Sequence, residues 1–184
     1  MKHPFLTTLI GLAILSLSSC QGFTPTPTSV LPAEYTSAWQ EIYGHCYDSV
    51  PCAVVALDLY SEGLELDKKS HRMKGSGYNL YLSDIFVPDS LIEPGTYHSD
   101  DSARPFTFLP GKDWEGTPSG MYLLYVKEGQ LQSIQVLDSG LLVVRDTTNR
   151  LTDLQFTLYY TNAYGNKVTY STHFQGALAP WQKQ

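Results

Sequence analysis

The stretch Leu154-Gln155-Phe156-Thr157-Leu158-Tyr159-Tyr160 decides the fold. Leu154, Phe156, Leu158 and Tyr160 alternate with Gln155, Thr157 and Tyr159, the period of two expected of a strand with one face in a core. Working outward, Tyr164-Gly165-Asn166 turns the chain into a second strand over Val168 to Leu178. On the other side, Met121 to Val126, Leu131 to Leu137 and Leu141 to Arg145 read as strands, joined by turns at Glu128-Gly129 and Asp138-Ser139-Gly140. Short β-branched and aromatic runs punctuated by Gly, Asn and Asp are the mark of successive hairpins.

The first half follows the same pattern less cleanly. Ala53 to Tyr60 reads as a largely buried strand, and Tyr78 to Asp84 as one with Leu80 and Leu82 on one face and Tyr81 on the other. Ser61 to Gly77 between them reads as a polar, basic loop with Lys68-Lys69. Pro88 to Pro94 is a break, Gly95 to His98 a short strand, and Pro105 to Leu109 one more. In Glu34 to Tyr43, Tyr35, Trp39 and Ile42 or Tyr43 fall at helical spacing, which predicts a short helix or turn leading into a strand over Ile42 to Tyr47. Strands spaced by roughly ten residues predict an all-β domain, an antiparallel sandwich or partly closed barrel.

The start of the chain has a different character. Lys2 precedes an apolar run, Phe5 to Leu17, interrupted by Thr7, Thr8, Gly11 and Ser16. It falls short of the about 20 apolar residues that span a bilayer, and has the layout of a signal peptide. Its end, Leu17-Ser18-Ser19-Cys20, resembles the lipobox of bacterial lipoproteins. That resemblance implies cleavage before Cys20 and diacylation of its thiol, with two chains giving the stable anchoring that one does not. The expected organisation is a signal peptide over 1–19, a lipidated cysteine and Pro/Thr-rich linker over 20–33, and a β-rich domain over 34–184. Thr24-Pro25-Thr26-Pro27-Thr28 favours polyproline II, at about 3.1 Å per residue a semi-rigid spacer of roughly 35 Å.

The formal net charge of the 184 residues is −6, and loss of Lys2 with the leader makes it −7. Such an acidic chain argues against nucleic acid as a partner. Aromatics are 12% and charged residues 16%, with 13 tyrosines, a balance that suits strands and binding surfaces. Beyond Cys20 there are two cysteines. Cys46 and Cys52 flank five residues and form a candidate disulfide, worth about 2–3 kcal/mol by loop closure, or else remain free or buried thiols. Only His45 stands beside them, so no metal site is expected.

Other motifs read as structure. Gly75-Ser76-Gly77 lacks the Lys-Ser/Thr of a phosphate loop and opens a strand, so it is a turn. No Gly-x-Ser-x-Gly elbow is present. His45, His71, His98 and His173 are scattered and select no ligand pair, for haem or metal. Asp84, Asp89, Asp100 and Asp101 read as solvated turns rather than a calcium loop. No cofactor is implied. Tyr43, Tyr47, Tyr60, Tyr78, Tyr81, Tyr122, Tyr125, Tyr159, Tyr160, Tyr164 and Tyr170 lie on or beside strands, and alternate ones face outward. They either form an aromatic surface for sugar rings or a protein partner, or pack across strands and rims.

Val55 to Ser61, Gly77 to Asp84, Pro94 to Tyr97 and the Phe156 to Gly176 hairpin resemble a group of predicted Bacteroides-type lipoproteins of unknown function, over roughly residues 42–178. The resemblance implies a β-rich domain on a lipid anchor and carries no catalytic residue. Gln21-Gly22-Phe23-Thr24 lacks the acid that signals surface display in such proteins, so the anchor points to the outer membrane with the exposed leaflet open. The expected function is a non-enzymatic envelope protein, held to the membrane by its anchor, that binds a glycan or protein ligand. The alternatives are an envelope or fimbrial assembly subunit, which predicts an unpaired edge strand, and a hydrolase, which predicts a cleft with convergent carboxylates or histidines.

Overall fold

The structure, a computed structural model, describes residues 30–47, 50–67, 69–146 and 151–181. The leader, Cys20 and the Thr-Pro run lie outside the described residues. Every regular element among those described is a strand. The first half supplies β1 (Glu34–Tyr35), β2 (Ser37–Gly44), β3 (Ala53–Tyr60), β4 (Leu64–Asp67), β5 (Arg72–Gly75), β6 (Gly77–Val87) and β7 (Gly95–Ser99). The second supplies β8 (Thr107–Phe108), β9 (Lys112–Trp114), β10 (Thr117–Ser119), β11 (Met121–Lys127) and β12 (Gln130–Val136). It ends with β13 (Ser139–Asp146), β14 (Thr152–Thr161), β15 (Lys167–Gly176) and β16 (Ala179–Trp181).

The main sheet runs β1-β15-β14-β13-β7-β8-β6-β3-β2-β16. β1 and β2 are successive pieces of one extended segment, and so are β15 and β16. The two ends of the series therefore meet, and the sheet nearly closes into a barrel. Of the two expected all-β architectures, the barrel is the one formed. The sheet is mixed rather than purely antiparallel. The closing seam is parallel, with Glu34 beside His173 and Trp39 beside Ala179, and β7 also pairs β8 in parallel.

Period-two alternation fills the interior. Leu154, Phe156 and Leu158 of β14 are buried, and Gln155 and Tyr159 are exposed. β15 brings Phe174 and Tyr170 opposite Leu154 and Leu158. Val55, Leu57 and Leu59 of β3, Leu80, Leu82 and Ile85 of β6, and Leu142 and Val144 of β13 complete the core. Each such side chain contributes roughly 1.5–3 kcal/mol on full burial. β3 is buried on both faces, which explains its unbroken apolar run. Its outer residue Tyr60 is covered by Leu64, Leu66 and Met73 of the β4–β5 hairpin.

Two expectations are corrected. Glu34 to Tyr43 forms strands, not a helix or turn, because Tyr35 and Ala38 turn inward while β2 pairs β3 along its length. The Ser61–Gly77 loop contains the β4–β5 hairpin, whose Leu64 and Leu66 alternate with Glu65 and Asp67. The described residues just ahead of Glu34 also touch the barrel. Leu31 packs on the core, and the Tyr170 hydroxyl donates to the Pro32 carbonyl at 2.8 Å.

β6 has a feature that positions everything below. On one edge, its residues 77–82 pair β11 and its residues 85–86 pair β8. Between them Asp84 takes a left-handed φ of 48°, a bulge conformation uncommon outside glycine. The sheet forks there.

Candidate functional site

The fork holds a cavity of about 390 Å³. Its floor is Tyr81 of β6 and Tyr122 of β11, directly paired across the strands. Their ring centroids lie 5.1 Å apart with planes tilted by 31°, so the two make a broad aromatic platform. Leu109 and Pro110 line it from the β8 side of the fork, and Ser83, Asp84 and Gly120 from the fork itself.

The remaining lining comes from the β9–β10 hairpin, through Lys112, Trp114, Pro118 and Ser119. Its two-residue turn, Glu115-Gly116, has positive φ at both positions, the tight reversal that suits strand twist. The Asp113 carboxylate accepts the Gly116 N–H at 2.8 Å and fixes that turn. Trp114 stands 67% exposed, the largest side chain on the cavity. Two glycines let the hairpin root cross so tightly. A Cβ on Gly120 would lie 2.2 Å from the Pro110 carbonyl oxygen, and one on Gly111 2.2 Å from that of Met121.

A polar network lies beside the platform. The Tyr81 and Tyr43 hydroxyls are 3.3 Å apart, and the Tyr43 hydroxyl donates to Glu41. Burial raises the Tyr81 and Tyr122 phenols above their ordinary value, and burial with the Glu41 contact pushes Tyr43 up to about 12. All three therefore stay protonated as donors at neutral pH. Tyr47 donates to Asp84 at 2.7 Å, and that bond holds its own phenol at about 12. Below the platform, Asp58 is cross-strand neighbour to Tyr81 and only 7% exposed. Its carboxyl accepts from the Tyr60 hydroxyl and the Asn79 amide. Burial nevertheless pushes it up to about 6.

The structure sorts the tyrosines into two sets. Tyr43, Tyr47, Tyr81 and Tyr122 gather on the outer face near the fork. Tyr35, Tyr78, Tyr125, Tyr160 and Tyr170 serve packing instead. Tyr78 packs on Tyr125 with centroids 5.1 Å apart, and the Tyr35 and Tyr170 hydroxyls lie 3.1 Å apart, Tyr35 donating. Tyr60 and Tyr97 are buried, while Tyr159 and Tyr164 stand exposed on the β14–β15 hairpin. Trp114 was not legible as a site residue. Its signal was a tryptophan in the turn sequence Asp113-Trp114-Glu115-Gly116, where no core position calls for one.

No protein-family model, no curated protein and no solved structure matches this chain. The geometry alone therefore carries the functional reading.

The other residues singled out from sequence stay apart from the cavity. Cys46 is exposed and Cys52 buried, both free thiols, so the candidate disulfide is not formed in this structure. Cys52 is buried with Val54 and Phe86 in a small apolar cluster separate from the barrel core, whereas Cys46 is exposed. His45, His71, His98 and His173 are exposed on separate elements, and His173 lies 3.9 Å from Glu34. No group of three His, Cys, Asp or Glu side chains among the described residues is placed to hold a metal. Asp100 caps the Ser102 N–H and pairs Arg104, and Asp101 pairs Lys112 at 2.8 Å. Gly75-Ser76-Gly77 is a turn, its Ser76 hydroxyl accepting the Glu128 N–H.

Proposed function

We propose that this chain is a lipid-anchored bacterial envelope protein, of the kind its Bacteroides-type resemblance implies, whose barrel domain binds a glycan without transforming it. The observation that carries the reading is the aromatic cleft, where Tyr81 and Tyr122 form the platform and Trp114 the exposed wall. Sugar rings present flat C–H faces to aromatic rings and hydroxyls at their edges. The cleft matches that division, with Ser83, Asp84, Lys112 and Ser119 around the aromatic surface. Its volume lies in the range of small-molecule sites. Lys112 is already paired with Asp101 and the chain is acidic overall, which favours an uncharged sugar.

A glycosidase needs two carboxyl groups flanking the scissile bond. Among the described residues Asp84 is the only acid lining this cavity, and it is engaged by Tyr47. Asp58 is buried beneath Tyr60 and Asn79 and does not line it. Both points support binding over hydrolysis. The anchor, from Cys20, and the Thr-Pro spacer would hold the cleft away from the membrane.

The test is calorimetric titration of the full chain, in detergent, with a panel of neutral oligosaccharides. Saturable binding is expected, weakened about tenfold or more by Trp114→Ala, since stacking on one aromatic is worth about 1 kcal/mol beyond its buried area. Binding that Trp114→Ala leaves unchanged, or no binding across the panel, would refute the reading.

A further inference from the structure

Residues 64–75 reverse the sign of the chain's charge. They carry Lys68, Lys69, Arg72 and Lys74 against Glu65 and Asp67, a formal charge of +2 where the whole chain carries −6. The β4–β5 hairpin lies on the outer face of the barrel, where Leu64, Leu66 and Met73 pack with Tyr60 and Val126. It therefore sets a local positive field on an acidic protein, beside apolar side chains.

The hairpin is tied to the turn between β11 and β12. The Gly129 N–H donates to the Gly75 carbonyl at 2.8 Å, and the Glu128 N–H to the Ser76 hydroxyl at 2.9 Å. β5 enters that junction and β12 leaves it, with no strand pairing between them among the described residues. The space they flank is a groove of about 640 Å³. Met73, Leu124, Val126 and Leu131 give it an aliphatic and thioether surface, and no aromatic ring lines it among the described residues. Arg72 and Lys74 line it from β5, and Glu128 from the turn. Lys74 is held by Asp67 at 2.5 Å, while Arg72 is exposed and makes no ion pair among the described residues.

We propose that this groove binds a fatty acid, its acyl chain along Leu124, Val126, Leu131 and Met73 and its carboxylate on Arg72. Two features select that occupant. The surface is aliphatic, so it rewards burial of a hydrocarbon chain and offers a sugar no ring to stack on. The free cation is a single guanidinium, whose planar fork matches one carboxylate through two parallel hydrogen bonds. A phosphate head with two charges would find Lys74 already spent on Asp67, and Glu128 lining the same groove. A neutral amphiphile would leave the positive field of the hairpin unused. The groove shares no lining residue with the aromatic cleft, so this binding is independent of the glycan reading.

Photolabelling of the full chain tests it, in a polyoxyethylene detergent whose head carries no charge. The probe is dodecanoate bearing a diazirine in its chain, and labelled sites are read by peptide mass. Label is expected within residues 72–75 and 124–131. Unlabelled dodecanoate should displace it about tenfold or more better than dodecanol, the factor that a charge-assisted hydrogen bond supplies. Arg72→Gln should abolish that preference and leave displacement by dodecanol unchanged. Leu131→Asp sets an anion on an exposed wall of the groove and should weaken dodecanoate about tenfold. Both positions are exposed, so neither variant removes a core contact. Label outside the groove, or equal displacement by dodecanol and dodecanoate, overturns the proposal. Stronger displacement by dodecyl phosphate overturns it too, by assigning the groove to a phosphate-headed lipid. Labelling and displacement that neither variant alters would also refute it.

Discussion

Asp58 ties the fold to pH. Its carboxyl is buried on the outer face of β3, and burial outweighs the Tyr60 and Asn79 hydrogen bonds, which pull the other way, with Glu41 adding repulsion. An acid whose folded pKa lies above its unfolded value holds its proton more tightly in the fold. Between about pH 4 and pH 6 the folded chain therefore carries the extra proton, and stability falls as pH rises through that window and levels off above it. A rise from 3.8 to about 6 corresponds to roughly 3 kcal/mol lost on ionisation. Asp58→Asn removes the ionisation and keeps the contacts, since the amide oxygen still accepts from Asn79 and the amide nitrogen can donate to the Tyr60 hydroxyl. Urea unfolding of both proteins at pH 4 and pH 7.5, followed by tryptophan fluorescence, gives the two free energies by linear extrapolation. Acids held low by partners, such as Asp100, cancel in the difference between the proteins. The variant should gain roughly 2.5 kcal/mol relative to wild type between the two pH values, the remainder lying below pH 4 where the unfolded carboxyl is still titrating. A difference that does not change with pH would refute the account of Asp58 as a buried, proton-retaining acid.

Two further outcomes are expected. Gly120→Ala forces a side chain into a φ of +71° and against the Pro110 carbonyl, so it should destabilise the chain by about 1–3 kcal/mol and weaken oligosaccharide binding more than an equally destabilising core change. In the native protein a thiol-reactive dye should label Cys46 rapidly and Cys52 only after unfolding, because one is exposed and the other buried. Equal labelling of both, read by peptide mass, would contradict their placement.

The strands of the second half were legible because alternation and turn chemistry agree. β14 alternates strictly, and Gly129 and Gly165 sit at positive φ in the turns expected of them. β2 was misread for a physical reason. Gln40 faces inward while Trp39 and Tyr43 face outward, so polarity and burial are partly inverted and the aromatic spacing imitates a helix. β4 and β5 were hidden by the polar loop composition around Lys68-Lys69. The cleft was not legible at all. It depends on which strands share the edge of β6, a decision made at Asp84 by pairing between distant segments. The aromatic residues could be named from sequence, but their convergence could not.

The parallel seam has a consequence for how the chain acquires its structure. Glu34 and Tyr35 must find His173 and Phe174, and Trp39 must find Ala179, almost the full length of the domain away. Such long-range contacts carry the largest loop-closure entropy and are slow to form. β1 has no neighbour until β15 exists, and β2 lacks its second until β16 does. A nascent chain therefore cannot close its barrel until β15 and β16 have left the ribosome, whatever hairpins have formed before them.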